Sequence, residues 1–210
     1  MKKACYILYG ASAVLMIYST VFQLQHQLYA KLGYLAMAFG VQLIGPLVVK
    51  ALKLKEAWGL LFWAQLFIAV AMIIGNTLNG YAIPYFDKVL HFSSGILICA
   101  VITLVYCWLK QSWTESTPRD YLLKCLSIQG INMMIAFLWE CFEFACLIFL
   151  NIDAINHYTQ GVYDTMTDMI VCFLGGLIFL FLLTRSERKG KKDPLLNSLE
   201  TFYKTNLQGR

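Results

Sequence analysis

The sequence predicts an all-α, polytopic membrane protein: a bundle of six transmembrane helices with both termini in the cytoplasm. Three observations carry that expectation. The 210 residues are 59% hydrophobic and only 14% charged, with a mean hydropathy of +0.62, whereas a soluble domain is about 45–50% apolar. The apolar residues gather into six runs, each near the roughly 20 residues that a helix needs to cross a bilayer. The basic residues collect on alternate linkers.

In chain order the runs lie near residues 5–22, 32–49, 58–76, 89–109, 126–150 and 165–184. The first follows Met1, Lys2 and Lys3, as a signal peptide would, but no small-x-small cleavage site follows it, so it reads as a retained span. The second holds Gly45-Pro46, a kink that a membrane helix absorbs when neighbours satisfy the freed carbonyl. The remaining four carry no proline. Gly33, Gly40, Gly175 and Gly176 permit close helix contacts. Neither an internal repeat nor the strand alternation of an outer-membrane barrel is visible. Short linkers make residues 1–184 one six-span domain, followed by a basic cytoplasmic tail over 185–210.

Charge sets the orientation. Fifteen of the 17 Lys and Arg residues fall on the side of the termini, and only Lys31 and Lys88 on the other. The positive-inside rule then puts both termini in the cytoplasm. The net charge of +5 is topological and calls for no nucleic-acid partner; the partner is the lipid bilayer. In the tail, Leu195, Leu196, Leu199, Phe202 and Tyr203 fit either a short helix resting on the anionic inner leaflet or a solvated segment. The seven cysteines form no CxxC or CxxH pair and read as small hydrophobes.

Within this topology the acids converge. The fourth span enters from the outer side at Asp87 and His91, the fifth leaves past Glu140 and Glu143, and the sixth re-enters at Asp164 and Asp168. Asp87, His91 and Ser94 step by four and three, as helix neighbours do. Gln129, Asn132, Ala136, Glu140 and Glu143 make a second stripe, and Asp164, Asp168 and Gly175 a third. Plain structural roles compete with a functional one. Asp87 fits an N-cap, Thr165 and Asp168 fit a capping box beside Asp164, and His91 fits a bond to a neighbouring helix.

The glutamates fit such roles least. Glu140 stands about 16 Å along a helix from Asn151, too deep for its short side chain to reach water. An acid near mid-membrane costs about 3 kcal/mol, against a few tenths gained per Leu or Phe. Five acids packed beside His91 and Lys88 cannot all stay ionised without compensation, so either some are protonated or a cation sits among them. Glu140, Glu143, Asp164, Asp168 and His91 are therefore the candidate ligands of a divalent metal ion. Asp87, His91, Glu140 and Glu143 are the candidate catalytic groups, with Asp87 orienting His91.

The stretches "FDKVLHFSSG", "WECFEF" and "GVYDTMTDMIVCFLGG" resemble the YjdF-like family of bacterial inner-membrane proteins over roughly residues 75 to 184. That resemblance implies a multi-pass protein of the bacterial cytoplasmic membrane and no particular activity. A looser resemblance, through "DKVLHF" and an acid entering the last span before paired glycines, reaches the VanZ-like proteins associated with glycopeptide-antibiotic tolerance. The Glu-x-x-Gln looked for after the middle helix of that group is lacking.

Two other site types are excluded by the letters. "HFSSG" reverses the Pro-Ser-Gly-His order of a lipid-phosphate phosphatase, and no arginine lies on the outer side. The HExxH of an intramembrane zinc protease is missing. Three functional classes stay open: a cation-assisted enzyme acting on lipid-linked or cell-envelope substrates, a proton- or metal-coupled transporter, and a non-catalytic accessory factor of the envelope. Transport predicts a polar stripe running on to the cytoplasm. Gln129 and Asn132 extend it inward, but no ionisable residue lies deep in the cytoplasmic halves of the other spans.

Overall fold

The computed structural model describes residues 1–154, 156–190 and 193–209, and among them it contains helices and turns but no strand. The spans are α1 (Lys2–Gln25), α2 (Tyr29–Ala51), α3 (Trp58–Ile68), α4 (Phe86–Lys110), α5 (Pro118–Leu150) and α7 (Val162–Lys189). Between the last two lies the short α6 (His157–Gln160), and α8 (Pro194–Asn206) follows. α3 runs on as a π-helix over Ala69–Thr77, which makes it long enough to cross. Six helices are thus long and apolar enough to span a membrane. Ile7, Leu109 and Phe149 remain exposed on them, as suits a surface whose solvent is lipid.

The helices outrun the apolar runs where capping chemistry extends them. At α5 the Thr117 hydroxyl accepts the Asp120 amide at 3.1 Å and donates to its carboxylate at 2.8 Å, and Pro118 opens the first turn. That capping box starts the helix eight residues before the apolar run. α7 starts earlier than expected as well. Its N-cap is Gly161, without a side-chain cap bond, so Thr165 and Asp168 lie inside the helix and form no capping box. Likewise Asp87 is the second residue of α4 and stands within its first turn.

The chain divides into two compact units, and each brings three spans. One comprises α1, α2, α3 and α8. Here Ala38, Ala69 and Ile73 form a core with Leu15, Met16 and Met72 packed on it. Asp193 caps α8 by accepting the Leu196 amide at 3.0 Å. Leu195, Leu196, Leu199, Phe202 and Tyr203 are all buried, and α8 packs against α3. Asn206 fixes its far end, accepting the Lys55 amide at 2.8 Å and donating to the Lys55 carbonyl at 2.7 Å. The other unit, beginning at Asp87, contains α4, α5, α6 and α7 and carries every residue of the acidic convergence.

Candidate functional site

Two glycines bring α4 and α7 together. A Cβ on Gly95 would strike the Cys172 carbonyl, and one on Gly175 would strike the Phe92 carbonyl. Only residues without side chains allow the backbones to approach so closely. The two helices run in the same direction, so the turn before this contact on α4 faces the turn before it on α7. Lys88 and His91 thereby meet Asp164 and Asp168.

Lys88 is the centre of the cluster. Its Nζ donates to Asp164 Oδ1 at 2.5 Å and to Asp168 Oδ2 at 2.8 Å, and stands 3.7 Å from Asp87 Oδ2. The two α7 carboxylates are almost fully buried, with side chains 2% and 1% exposed. Asp164 is further satisfied by Asn156 at 2.8 Å and Gln160 at 3.3 Å. Charged hydrogen bonds of this length in a low dielectric hold all three side chains in one geometry.

Asp168 has its second oxygen to spare. Oδ1 is buried and has no hydrogen-bond partner among the described residues, and it faces His91 Nε2 at 3.9 Å. Asp87 Oδ1 stands 3.7 Å from the same nitrogen. The ligand atoms of Asp87, His91 and Asp168 all lie within 4.8 Å of one another, as the donors around one metal ion do. Bonds of about 2.4 Å, the calcium range, would span such gaps with little movement, whereas a smaller ion would draw the three groups inward. Three acids face the single lysine, which leaves two negative charges for a divalent cation, or for protons on the carboxylates or His91, to balance.

The two glutamates of α5 stand near this group. Glu140 is 6% exposed, and its Oε2 has no hydrogen-bond partner among the described residues. It lies within electrostatic reach of His91, Asp164 and Asp87. Glu143 is half-buried one turn further along α5, with Glu140, Asp87 and Asp168 in reach. Of the expected residues, then, Asp87, His91, Asp164 and Asp168 form one contact group with Lys88. Glu140 and Glu143 are neighbours outside the three-ligand set.

At its other end this unit buries a second ion pair that sequence reasoning missed. Lys124, with no exposed surface, donates to Glu187 Oε1 at 2.9 Å and to the Trp113 carbonyl at 2.7 Å. The capping box at Thr117 was the available signal, because it places Lys124 inside α5 and not ahead of it. Between the two charged ends a polar run links the helices. Asn132 donates to the Cys172 carbonyl at 3.4 Å and accepts from Cys172 Sγ at 3.6 Å, while Gln129 donates to the Phe173 carbonyl at 3.1 Å. Ile128, Phe179 and Leu183, each at most 1% exposed, lie between these residues and the Lys124 end.

Fold and site together define a helical, multi-pass membrane protein with a buried ionic cluster between two of its spans. A family model described as a predicted membrane protein (DUF2238) matches residues 4–189, and the chain belongs to that family. This is the family to which the YjdF-like motifs pointed. No curated protein and no solved structure matches the chain.

Proposed function

We propose that this chain is an enzyme of the bacterial cytoplasmic membrane. Its termini lie in the cytoplasm, and a divalent cation held by Asp87, His91 and Asp168 faces outward. The substrates are lipid-linked or other cell-envelope head groups, which reach the site laterally through the bilayer. One observation carries the reading: the buried, unpartnered Asp168 Oδ1 beside His91 Nε2, with Asp87 closing the triangle. A bound cation would polarise a phosphoryl or glycosyl oxygen. Lys88 holds Asp168 in place by fixing its other oxygen. Glu140, with one oxygen unengaged, stands where a proton is to be taken or given.

The polar run between Lys88 and Lys124 favours transport as a second reading. Conduction is weakened by the apolar layer of Ile128, Phe179 and Leu183. Seven residues of α5 lie between Lys124 and Asn132, about 12 Å without a charged group on that helix.

Manganese titrated onto the outside of right-side-out vesicles, with its free-ion resonance as readout, tests the enzyme reading. Saturable binding that His91→Ala abolishes supports it. Equal binding by both proteins, or by neither, removes its basis.

A further inference from the structure

The connection between α5 and α7 grips the acidic cluster with one set of side chains and presents an apolar set outward. Asn151, in the left-handed conformation that asparagine tolerates, ends α5, and Asn156, left-handed as well, opens α6. Between them Asp153 accepts the His157 amide at 2.6 Å and the Tyr158 amide at 3.1 Å, so both of its oxygens are engaged. It is the one Asp, Glu, Lys or Arg from 149 to 163. Two amides of the connection turn back onto the cluster: Asn156 donates to Asp164 Oδ2 at 2.8 Å and Gln160 to Asp164 Oδ1 at 3.3 Å. They serve a carboxylate that the fold buries almost completely.

The outward set is of a different kind. Phe149, Leu150, Ile152, Tyr158, Val162 and Tyr163 are each at least 54% exposed. Apolar side chains gathered in this way on a surface mark a place where something other than water is met. The same character runs on along the flanking spans. Phe142 and Ile148 are exposed on α5 ahead of the connection, and Met166 and Ile170 on α7 after it. Both helices are long and apolar enough to cross the membrane, so the apolar surface of the connection continues one that lipid already covers. Tyr158 and Tyr163 add the amphipathic rings that collect where the bilayer meets water.

We propose that residues 149–163 form a strap seated in the headgroup layer of the bilayer, with Ile152, Tyr158, Val162 and Tyr163 among the lipids and Asn156 and Gln160 on Asp164. The partner is the lipid surface itself. Lipid is favoured over a second copy of the chain because the exposed apolar residues of two spans lead into the strap from both sides. The one carboxylate of the strap is capped within it, so no charge opposes that seat. The headgroup layer is hydrated, and exposed polar residues such as Thr159 keep their contact with water there. The strap thereby ties the acidic cluster to the membrane surface. This assignment is independent of the cation reading.

Carbene footprinting of the wild-type chain in vesicles of phosphatidylethanolamine and phosphatidylglycerol tests the proposal. One photoreactive diazirine is dissolved in the bilayer and another is confined to water, and mass spectrometry reads the modified residues. The lipid-dissolved reagent is expected to modify Ile152, Tyr158 and Val162 several-fold more than it modifies the α4–α5 linker at the exposed Ser116. The aqueous reagent is expected to give the reverse order. Aqueous modification of the three residues at the level of the linker overturns the proposal. Protection from both reagents overturns it as well, since a second copy of the chain, and not lipid, would then cover the strap.

Discussion

Lys88 donates to Asp168 at 2.8 Å across the α4–α7 contact, although 80 residues separate them, and so fixes one oxygen of that carboxylate while the other faces His91. The pair does two things at once. It neutralises a buried acid, and it aims the free oxygen at the proposed cation.

Replacing Lys88 by Met leaves Asp164 and Asp168 buried side by side without their counter-charge. Breaking a buried pair costs about 3–5 kcal/mol, so the variant is expected to unfold well below the wild type. Millimolar magnesium or manganese recovers part of the loss, because a cation takes the place of the ammonium. Thermal midpoints with and without the ion check this.

Gly95→Ala and Gly175→Ala force α4 and α7 apart, since each added methyl meets a backbone carbonyl. Overpacking of this kind costs about 1–3 kcal/mol or more. Manganese affinity falls with it, because Asp168 retreats from His91 and Asp87. Unfolding curves and metal titrations of the same samples show whether the two losses move together.

At the opposite end, Glu187→Ala isolates Lys124, which has no exposed surface and keeps only the Trp113 carbonyl among the bonds described. A loss of about 3–5 kcal/mol is expected. A Lys124→Met, Glu187→Met double variant recovers much of it, as apolar replacement of both partners of a buried pair does. The double-mutant cycle gives the coupling directly.

The proposed orientation is tested by single cysteines in a cysteine-free background. Ser116→Cys, in the α4–α5 linker, reacts with an impermeant maleimide only after the membrane is opened. Thr159→Cys, in α6, reacts in intact cells. Both positions are exposed, so accessibility across the membrane decides the labelling.

Hydropathy made the six spans legible, because the energy of placing a helix in lipid is a sum over its own residues. The convergence of Asp87, His91, Asp164 and Asp168 was legible from helical spacing together with the alternation of spans. Lys88 was read as one of two outward-side basic residues and as a charge near the acids, not as their bridge. It sits one position from Asp87, off the stripe of Asp87, His91 and Ser94, and only the glycine-mediated approach of α4 to α7 turns it onto Asp164. Lys124 was hidden by the same hydropathy windows that found the spans, since a polar first turn lowers the average over a helix end. Isolated polar residues in an apolar run do not reveal which of them lack partners until the neighbouring helices are in place.

The central claim is that Asp87, His91 and Asp168 bind a divalent cation. Its most direct test is the metal content of the detergent-purified protein by mass spectrometry, beside Asp168→Asn and a Glu140→Gln, Glu143→Gln double variant of equal folding quality. The three-ligand site predicts about one divalent ion per chain in the wild type and in the glutamate variant, and loss of the ion in Asp168→Asn. No ion in the wild type after incubation with magnesium, calcium, manganese and zinc, or an equal amount in Asp168→Asn, would contradict it.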